Sequence, residues 1–440
     1  MMLAAGTAAY AQTLSLRDCM EYALQHSPQK VKEQANLSDA LLQRRDAILT
    51  ATTPSITAFS GLSTNFGRAI DPETNSYIST TSLSNSYSIN ASMTLFDGFA
   101  AINNVKIAKT AVKMGRSRLQ QLDDEICLKV MQAYYNLVYH IQLNKVLEAQ
   151  VATAKENLKL VQRQFELGQK GYADVVQMEA DLADWEYQLL ADRNVKNEVL
   201  LDLKALLYWP LADTLMVDTH TAEEPQLSLT EGEETKAAAL AYAQNALPRA
   251  ELALAELKQA KWNLHTARGQ FLPNLSVSGG WSTRYYTYPG NKDYKAPSFA
   301  TQWRNNGGEY IQFSLSFPIY TQLSRFSNLS RKKNDYRRMQ ANLKQVQQEV
   351  ATEVERAFQD CEGAQLAFLQ AQKRLAVQAE AFKLNEKQLA HGLVSPITFR
   401  TIANAYHNAQ AERLNALLRY YLKRSIVKYY QGISYLEQQK

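Results

Sequence analysis

The sequence predicts a protein that is mainly α with a small β part, in which long antiparallel coiled-coil helices accompany about four strands. Three features predict this fold. Similar segments recur about 220 residues apart. Apolar and polar residues alternate over short stretches, and apolar residues three and four apart continue over long ones. The 440 residues are 46% hydrophobic and 21% charged, which favours an ordered chain over a disordered one.

Three pairs of similar segments define the internal repeat, in the same order and at nearly the same offset. They are Tyr22–Pro28 with Tyr242–Pro248, Pro54–Gly61 with Pro273–Gly280, and Phe165–Gly168 with Leu389–Gly392. We therefore expect two copies of one structural unit, at residues 12–209 and 235–432. A linker at 210–234 joins them, and a tail at 433–440 follows.

The first eleven residues are expected to be the remnant of a signal peptide. They are mostly apolar and end in Ala9, Tyr10 and Ala11, the small-residue pattern at which secretory signals are cleaved. An alanine-rich tail is the alternative that the residues leave open. No later segment approaches the roughly 18 uncharged apolar residues of a spanning helix. We therefore expect any crossing of a membrane to use strands.

Each copy begins with a short helix, a proline and a second helix. The second helix is expected to end just before Pro54 or Pro273, because a residue that precedes proline disfavours the α conformation. Gly98 and Pro318 mark the change from the second strand of each copy to the next helix. These four residues are the predicted junctions between helices and strands.

The strands are predicted from alternation with a period of two. It extends over Ser86–Leu95 in the first copy, and over Leu275–Trp281 and Ile311–Phe317 in the second. The intervening loops, Gly67–Leu83 and Tyr288–Glu309, are long and polar, as expected of loops that face solvent.

The longest helices are predicted from about Ala100 to Phe165 and from about Asn328 to Leu389. At 1.5 Å per residue each is roughly 100 Å long. Apolar residues continue along the first one with an interruption at Asn144. The spacing from Leu147 onward favours a left-handed coiled coil, and the spacing before Ile141 favours a straighter bundle.

The composition disfavours several functional classes. A net charge of +5 from 48 basic and 43 acidic residues is too small and too dispersed to indicate a nucleic-acid partner. Cys19, Cys127 and Cys361 lie far apart, which favours small buried side chains over a disulfide framework or a metal site. The six histidines show no ligand spacing, and no nucleotide-binding or nucleophile motif is present. We therefore predict neither an enzyme nor a cofactor.

A sheet of four strands has two open edges, and in lipid every backbone donor and acceptor must be paired. One chain therefore does not close a barrel, whereas several chains can, with apolar side chains facing lipid and Ser, Thr and Gln facing a wet lumen. A water-soluble sheet with one solvated face has the same periodicity and is the alternative.

With its duplicated helix, strand-pair and long-hairpin units, the chain resembles the TolC-like outer-membrane efflux family over nearly its whole length. The most specific resemblance lies in the turn of each long hairpin, where the family tends to carry a basic residue, a glycine, a small hydroxyl residue and an acid. The corresponding residues are Arg163, Gly168, Gly171 and Asp174 in the first copy, and Lys387, Gly392, Ser395 and Thr398 in the second. Glycine replaces the hydroxyl residue in one copy, and threonine replaces the acid in the other.

The resemblance implies a homotrimer with a twelve-stranded transmembrane β-barrel in the bacterial outer membrane, embedded in lipid, and a helical α-barrel that extends into the periplasm. It implies the channel component of a tripartite efflux or type I secretion system, a passive duct fed by an inner-membrane transporter. The resemblance implies that residues of the two turns contact a periplasmic adaptor protein: Arg163, Gly168, Gly171, Asp174, Lys387, Gly392 and Ser395. A soluble periplasmic coiled-coil scaffold is the alternative function.

The resemblance also raises the question of an acidic gate. Thr398 and Thr401 occupy positions where gating acids are expected, which weighs against a cation-sensitive gate in this chain. Asp174 is a candidate for one ring of three carboxylates. A helix N-terminal acid, favourable against the helix dipole, is the other interpretation of the same residue.

Overall fold

The computed structural model describes residues 13–70, 75–79, 81–219, 233–289 and 295–439. The predicted signal remnant and much of the predicted linker lie outside these ranges. The helices are α1 (Leu16–His26), α2 (Pro28–Thr52), α3 (Ala100–Glu166), α4 (Tyr172–Leu207), α5 (Glu233–Ala246), α6 (Pro248–Gly269), α7 (Phe299–Asn305), α8 (Ser324–Ala390) and α9 (Pro396–Tyr430). The strands are β1 (Ser55–Asn65), β2 (Arg68–Ile70), β3 (Tyr77–Ser79), β4 (Ser82–Phe96), β5 (Asn274–Thr287) and β6 (Gly308–Ser316).

The predicted class, mainly α with a small β part, is confirmed. Two compact units make up the chain. The helical unit contains the described residues up to Ala35, of Ser117–Leu252 and from Lys344 onward. The sheet-containing unit contains the described residues of Asn36–Arg116 and Ala253–Leu343. No helix in the described ranges is both long enough and apolar enough to cross a membrane.

Both loops that were predicted between paired strands contain additional secondary structure. The first contains the short antiparallel pair β2 and β3, across which the Arg68 guanidinium lies 4.5 Å from the Tyr77 ring. The second contains α7, whose Phe299 and Trp303 lie one helical turn apart and pack on the sheet. The polar composition of the loops obscured these aromatic anchors.

The helical unit has its core among α1, α3, α4 and α9. Met20, Met131, Leu137, Leu203 and Leu207 are fully buried there. Burying side chains of this size contributes about 1.5 to 3 kcal/mol each. Cys19 and Cys127 are buried in the same cluster, as predicted, and burial raises the pKa of each thiol to about 12. Cys361, which was also predicted to be buried, is partly exposed.

The interruption at Asn144 is a buried polar layer between α3 and α4. Asn144 Nδ2 donates to the carboxylate of Asp192, which also lies 2.7 Å from Nδ1 of His140. The apolar seam resumes one turn on with Leu147, Val151 and Trp185. A polar layer in a coiled-coil seam fixes the register of the two helices at a cost in stability. Asn144 therefore specifies how α3 and α4 pair.

A largely enclosed imidazole in the first half of α9 gives a prediction about acid stability. His407 lies 5.4 Å from Trp185 and 5.8 Å from Phe382, between ring centroids, and burial lowers its pKa from 6.5 to about 4. The unfolded chain therefore binds this proton first as the pH falls. The stability that the neutral ring contributes is complete above pH 6.5 and is lost between pH 6.5 and about 4.

The loss between these pH values is expected to reach about 3 kcal/mol. Thermal unfolding of His407→Phe between pH 4 and pH 7 should show a flatter acid limb than the parent. The control is the same replacement at His391, which is exposed at a hairpin turn. Equal acid limbs in the His407 variant and the parent would contradict the assignment.

Four strands of the described chain form one antiparallel sheet in the order β1, β4, β5, β6. Ile56 pairs with Ala91, and Ile89 pairs with Trp281 in the next strand. Val277 in turn pairs with Phe313. Directly paired residues share a face, so most apolar residues of the four strands lie on one side, and Phe59, which pairs with Ser88, is an exception. Asn90 and the serines of β4, together with the serines and glutamine of β6, lie on the other side.

The apolar side of the sheet is exposed in this chain. The exposed fractions are 70% for Ile56, 79% for Ile311 and 69% for Phe313. β1 and β6 are the edge strands, and each has backbone donors and acceptors on one side that the sheet leaves unpaired. An exposed apolar face with open edges requires something else to cover it.

Candidate functional site at the helical hairpin turns

The turn between α3 and α4 ends its first helix in a Schellman motif. Gly168 has a φ of 72°, in the left-handed region that glycine adopts without strain. Its N–H donates to the carbonyl of Phe165 at 2.9 Å, and the N–H of Gln169 donates to the carbonyl of Gln164 at 2.8 Å. These bonds satisfy carbonyls that the end of the helix leaves free.

The turn between α8 and α9 repeats this geometry. Gly392 has a φ of 70° and donates to the carbonyl of Leu389 at 2.9 Å. The N–H of Leu393 donates to the carbonyl of Gln388, also at 2.9 Å. A Cβ added at either glycine meets no atom within 4 Å. The glycines are therefore required by backbone conformation and not by crowding.

The two turns begin their second helices with complementary halves of a capping box. In the first turn the carboxylate of Asp174 accepts from the N–H of Gly171 at 3.2 Å, and glycine has no side chain to return the bond. In the second turn the hydroxyl of Ser395 accepts from the N–H of Thr398 at 3.2 Å, and threonine replaces the acid. Each copy keeps one arm of the box. The geometry of Asp174 is that of a helix N-terminal acid.

The structure places the predicted turn residues on the surface of the helical unit. Arg163 is exposed and pairs with Glu166 at 2.7 Å. Asp174 is half-buried. The other predicted residues are exposed: Gly168, Gly171, Lys387, Gly392 and Ser395. Thr401, at the other position considered for a gating acid, donates to the carbonyl of Ile397 within its own helix.

Apolar side chains extend from the same turns. The exposed fractions are 59% for Leu167, 67% for Tyr172, 75% for Leu393 and 58% for Ile397. Apolar groups at the tips of polar hairpins are typical of a protein contact. Together with Arg163, they give the turns an apolar and basic surface.

Polar contacts connect the two hairpins. Gln164 Nε2 donates to the carbonyl of Ala390 at 3.2 Å, and Lys170 Nζ donates to that of Val394 at 3.4 Å. Farther along the hairpins, Arg400 donates to the carboxylate of Asp181 at 3.1 Å. The Asp181 side chain is 7% exposed, so this ion pair is half-enclosed between α4 and α9.

The predicted junctions lie between helices and strands of the sheet-containing unit. Pro54 directly precedes β1 and Pro273 directly precedes β5. Gly98 follows β4 with a φ of 67°. Pro318 follows β6, but the left-handed turn into α8 lies farther on, at Gln322 and Leu323, with φ values of 50° and 59°.

Sequence reasoning missed two features of these sites. Gly269 ends α6 and faces Gly98 so closely that a Cβ on Gly98 would lie 2.1 Å from the Gly269 carbonyl oxygen. A glycine at a helix end indicates only a C-cap, so the sequence did not reveal this approach. Asp181 was also missed, although an acid at a seam position of α4, three residues after the buried Met178, was an available signal.

The duplicated strand pairs and long hairpins, each with a left-handed glycine turn, define a protein of the TolC-like class. The model of the family described as outer membrane efflux protein matches residues 20–207 and 239–425. The chain belongs to the outer membrane efflux protein family. No curated protein matches the sequence significantly.

Solved structures show the same fold. The outer membrane protein VceC of Vibrio cholerae superposes with a TM-score of 0.76 at 16% identity, over 95% of this chain and 96% of that one. The CmeC outer membrane channel of Campylobacter jejuni gives a TM-score of 0.75 at 17% identity, over 96% and 85%. The open state of the MtrE outer membrane channel of Neisseria gonorrhoeae gives 0.71 at 17% identity, over 95% and 88%.

Proposed function

We propose that this chain is one protomer of a homotrimeric outer-membrane channel that serves as the passive exit duct of a tripartite efflux or type I secretion system. The sheet is the observation that carries the proposal. Its apolar face is exposed, its polar face is lined by serine and asparagine, and β1 and β6 are open. Three such sheets joined edge to edge form a closed twelve-stranded barrel with paired backbone groups.

The hairpin turns contact a periplasmic adaptor protein in this proposal. This proposed contact is supported by the two matching Schellman turns and by the exposed apolar and basic side chains around them. The adaptor connects the duct to an energised inner-membrane transporter, and cargo then diffuses through water. The duct itself carries out no chemistry.

Opening of the periplasmic end is a separation of the two hairpins. The contacts that connect the hairpins define the closed arrangement, and adaptor binding biases a two-state equilibrium away from it. The ion pair of Asp181 with Arg400 is the contact with most at stake, because removing one partner leaves a charge enclosed without compensation.

Replacing Arg400 by alanine is therefore expected to favour the open state. Single-channel conductance of the purified variant in a planar bilayer should rise about twofold or more over the parent. The matched control is Arg374→Ala, which removes an exposed pair with Glu412 between α8 and α9 and should leave conductance unchanged. Equal conductance in all three proteins would remove Arg400 from the closing contacts.

The proposed function is tested by the oligomer mass and conductance of the detergent-extracted protein. A trimer that forms discrete channels supports it. A monomer or dimer that stays in the aqueous fraction without detergent supports the soluble coiled-coil scaffold and overturns the duct.

A further inference from the structure

The helix α7 closes one end of the sheet at a place where β6 has already stopped. β6 pairs with β5 only as far as Ser282, so the backbone of Tyr286 lies beyond the last ladder bond. Gln302 of α7 takes the place of a strand there. Its Oε1 accepts from the Tyr286 N–H at 2.9 Å, and its Nε2 donates to the Tyr286 carbonyl at 2.8 Å.

These bonds hold α7 against the apolar face. Gln302 is 3% exposed, and the Thr283 hydroxyl donates to the Trp303 carbonyl at 3.0 Å. The position of α7 is therefore fixed by buried hydrogen bonds, so the aromatic side chains that it presents have a defined arrangement.

Aromatic rings from α7 and the sheet surround a groove of about 750 Å³. Trp303 lies 4.9 Å from Tyr87 and 5.2 Å from Trp281, between ring centroids, and Phe299 lies 5.5 Å from Tyr285. The groove is continuous with the apolar face, because Tyr87, Trp281 and Tyr285 all belong to that face. Aromatic rings of this kind favour the boundary between lipid and water.

Among the described residues that line the groove, Arg304 is the cation. Arg304 is exposed, and no carboxylate in the described part of the chain pairs with it. An aromatic groove that continues onto an apolar face matches an acyl chain, and a guanidinium at its margin matches a phosphate oxygen. A cationic amphiphile fits the rings but is repelled by Arg304.

We infer that this groove binds a membrane lipid with a phosphate-bearing, net anionic headgroup, its acyl chain along Trp281 and Trp303 and its phosphate at Arg304. The inference rests on the proposed function, because it requires the apolar face to lie in a bilayer. The bound lipid covers part of the apolar face at the end of the sheet where α7 takes the place of β6.

The test uses the full chain in phosphatidylcholine vesicles that contain a small fraction of lipid with dibrominated acyl chains, which quench tryptophan on contact. Brominated phosphatidylglycerol should quench more than brominated phosphatidylcholine, with about a fivefold preference for the anionic lipid. Trp281→Phe with Trp303→Phe should remove the preferential part of the quenching.

Arg304→Gln should lower the preference to that of the bulk membrane, and Ala300→Phe, which fills the groove, should remove preferential quenching. Arg284→Gln is the matched control, since it removes the same charge from the opposite face of β5 and should leave the preference unchanged. Inorganic phosphate should not displace the lipid.

Equal effects of Arg304→Gln and Arg284→Gln, or displacement by inorganic phosphate, would overturn the lipid site. Conductance and oligomer mass of the same samples separate the two ideas. A conducting trimer without lipid preference overturns this inference alone, whereas a protein that fails to enter the vesicles overturns the proposed function.

Discussion

Replacing Gly98 by alanine is expected to destabilise the folded chain by about 3 kcal/mol or more. Gly98 has a φ of 67°, and its added Cβ would lie 2.1 Å from the Gly269 carbonyl oxygen. The obstruction is backbone, which has no rotamer with which to move aside. Gly269→Ala meets the same obstacle from the other side, because a Cβ on Gly269 would lie 1.9 Å from the Gly98 carbonyl oxygen.

The measurement is the yield and thermal midpoint of the folded, detergent-extracted oligomer for Gly98→Ala and Gly269→Ala. Gly308→Ala is the control, since nothing lies within 4 Å of its added Cβ and its φ is not in the left-handed region. Both junction variants should fall far below the control. Stability equal to that of Gly308→Ala would mean that the two backbones do not meet as described.

Replacing Gly168 and Gly392 together by valine is expected to reduce export at least about tenfold without preventing assembly of the oligomer. A β-branched residue at these positive φ values costs about 1 to 3 kcal/mol per site. The space around both glycines is open, so the strain changes the shape of the turns and leaves the buried core intact. The proposed adaptor surface is the part that changes.

The matched control is Gly168→Asn with Gly392→Asn, because asparagine tolerates the left-handed conformation. Export is measured as dye accumulation in cells that carry the adaptor and transporter, with the amount of oligomer determined in parallel. Cells with the valine double variant should accumulate dye, and cells with the asparagine double variant should behave like cells with the parent protein. Unchanged export by the valine pair, at equal oligomer levels, would remove the turns from the proposed adaptor contact.

The sequence predicted most of the fold because its signals are local and periodic. Apolar spacing located α3 and α8 to within a few residues, and alternation identified β4, β5 and β6 of the four-stranded sheet. The prolines at Pro54 and Pro273 located the starts of β1 and β5, since proline limits its preceding residue independently of tertiary context.

The features that escaped prediction depend on contacts between distant segments. The approach of Gly98 to Gly269 joins a turn of the first copy to one of the second, and no local pattern encodes it. Gln302 replaces a strand only because β6 ends early, which depends on register across the sheet. The partner of Asn144 was hidden for the same reason, because Asp192 lies on the returning helix.

The hairpin turns lie between these extremes. Glycine at Gly168 and Gly392 predicted the turns correctly, because the left-handed conformation restricts residue choice. The capping roles of Asp174 in the first turn and Ser395 in the second became visible only with the hydrogen bonds. The two departures from the family pattern leave each turn with half of a capping box. The first turn keeps the acid, and the second keeps the hydroxyl residue.

The most direct test of the duct is single-channel conductance of the detergent-extracted protein in a planar bilayer, with oligomer mass measured on the same sample. The account predicts a trimer that produces discrete conductance steps, larger in Arg400→Ala than in Arg374→Ala. A water-soluble monomer or dimer without conductance would contradict it.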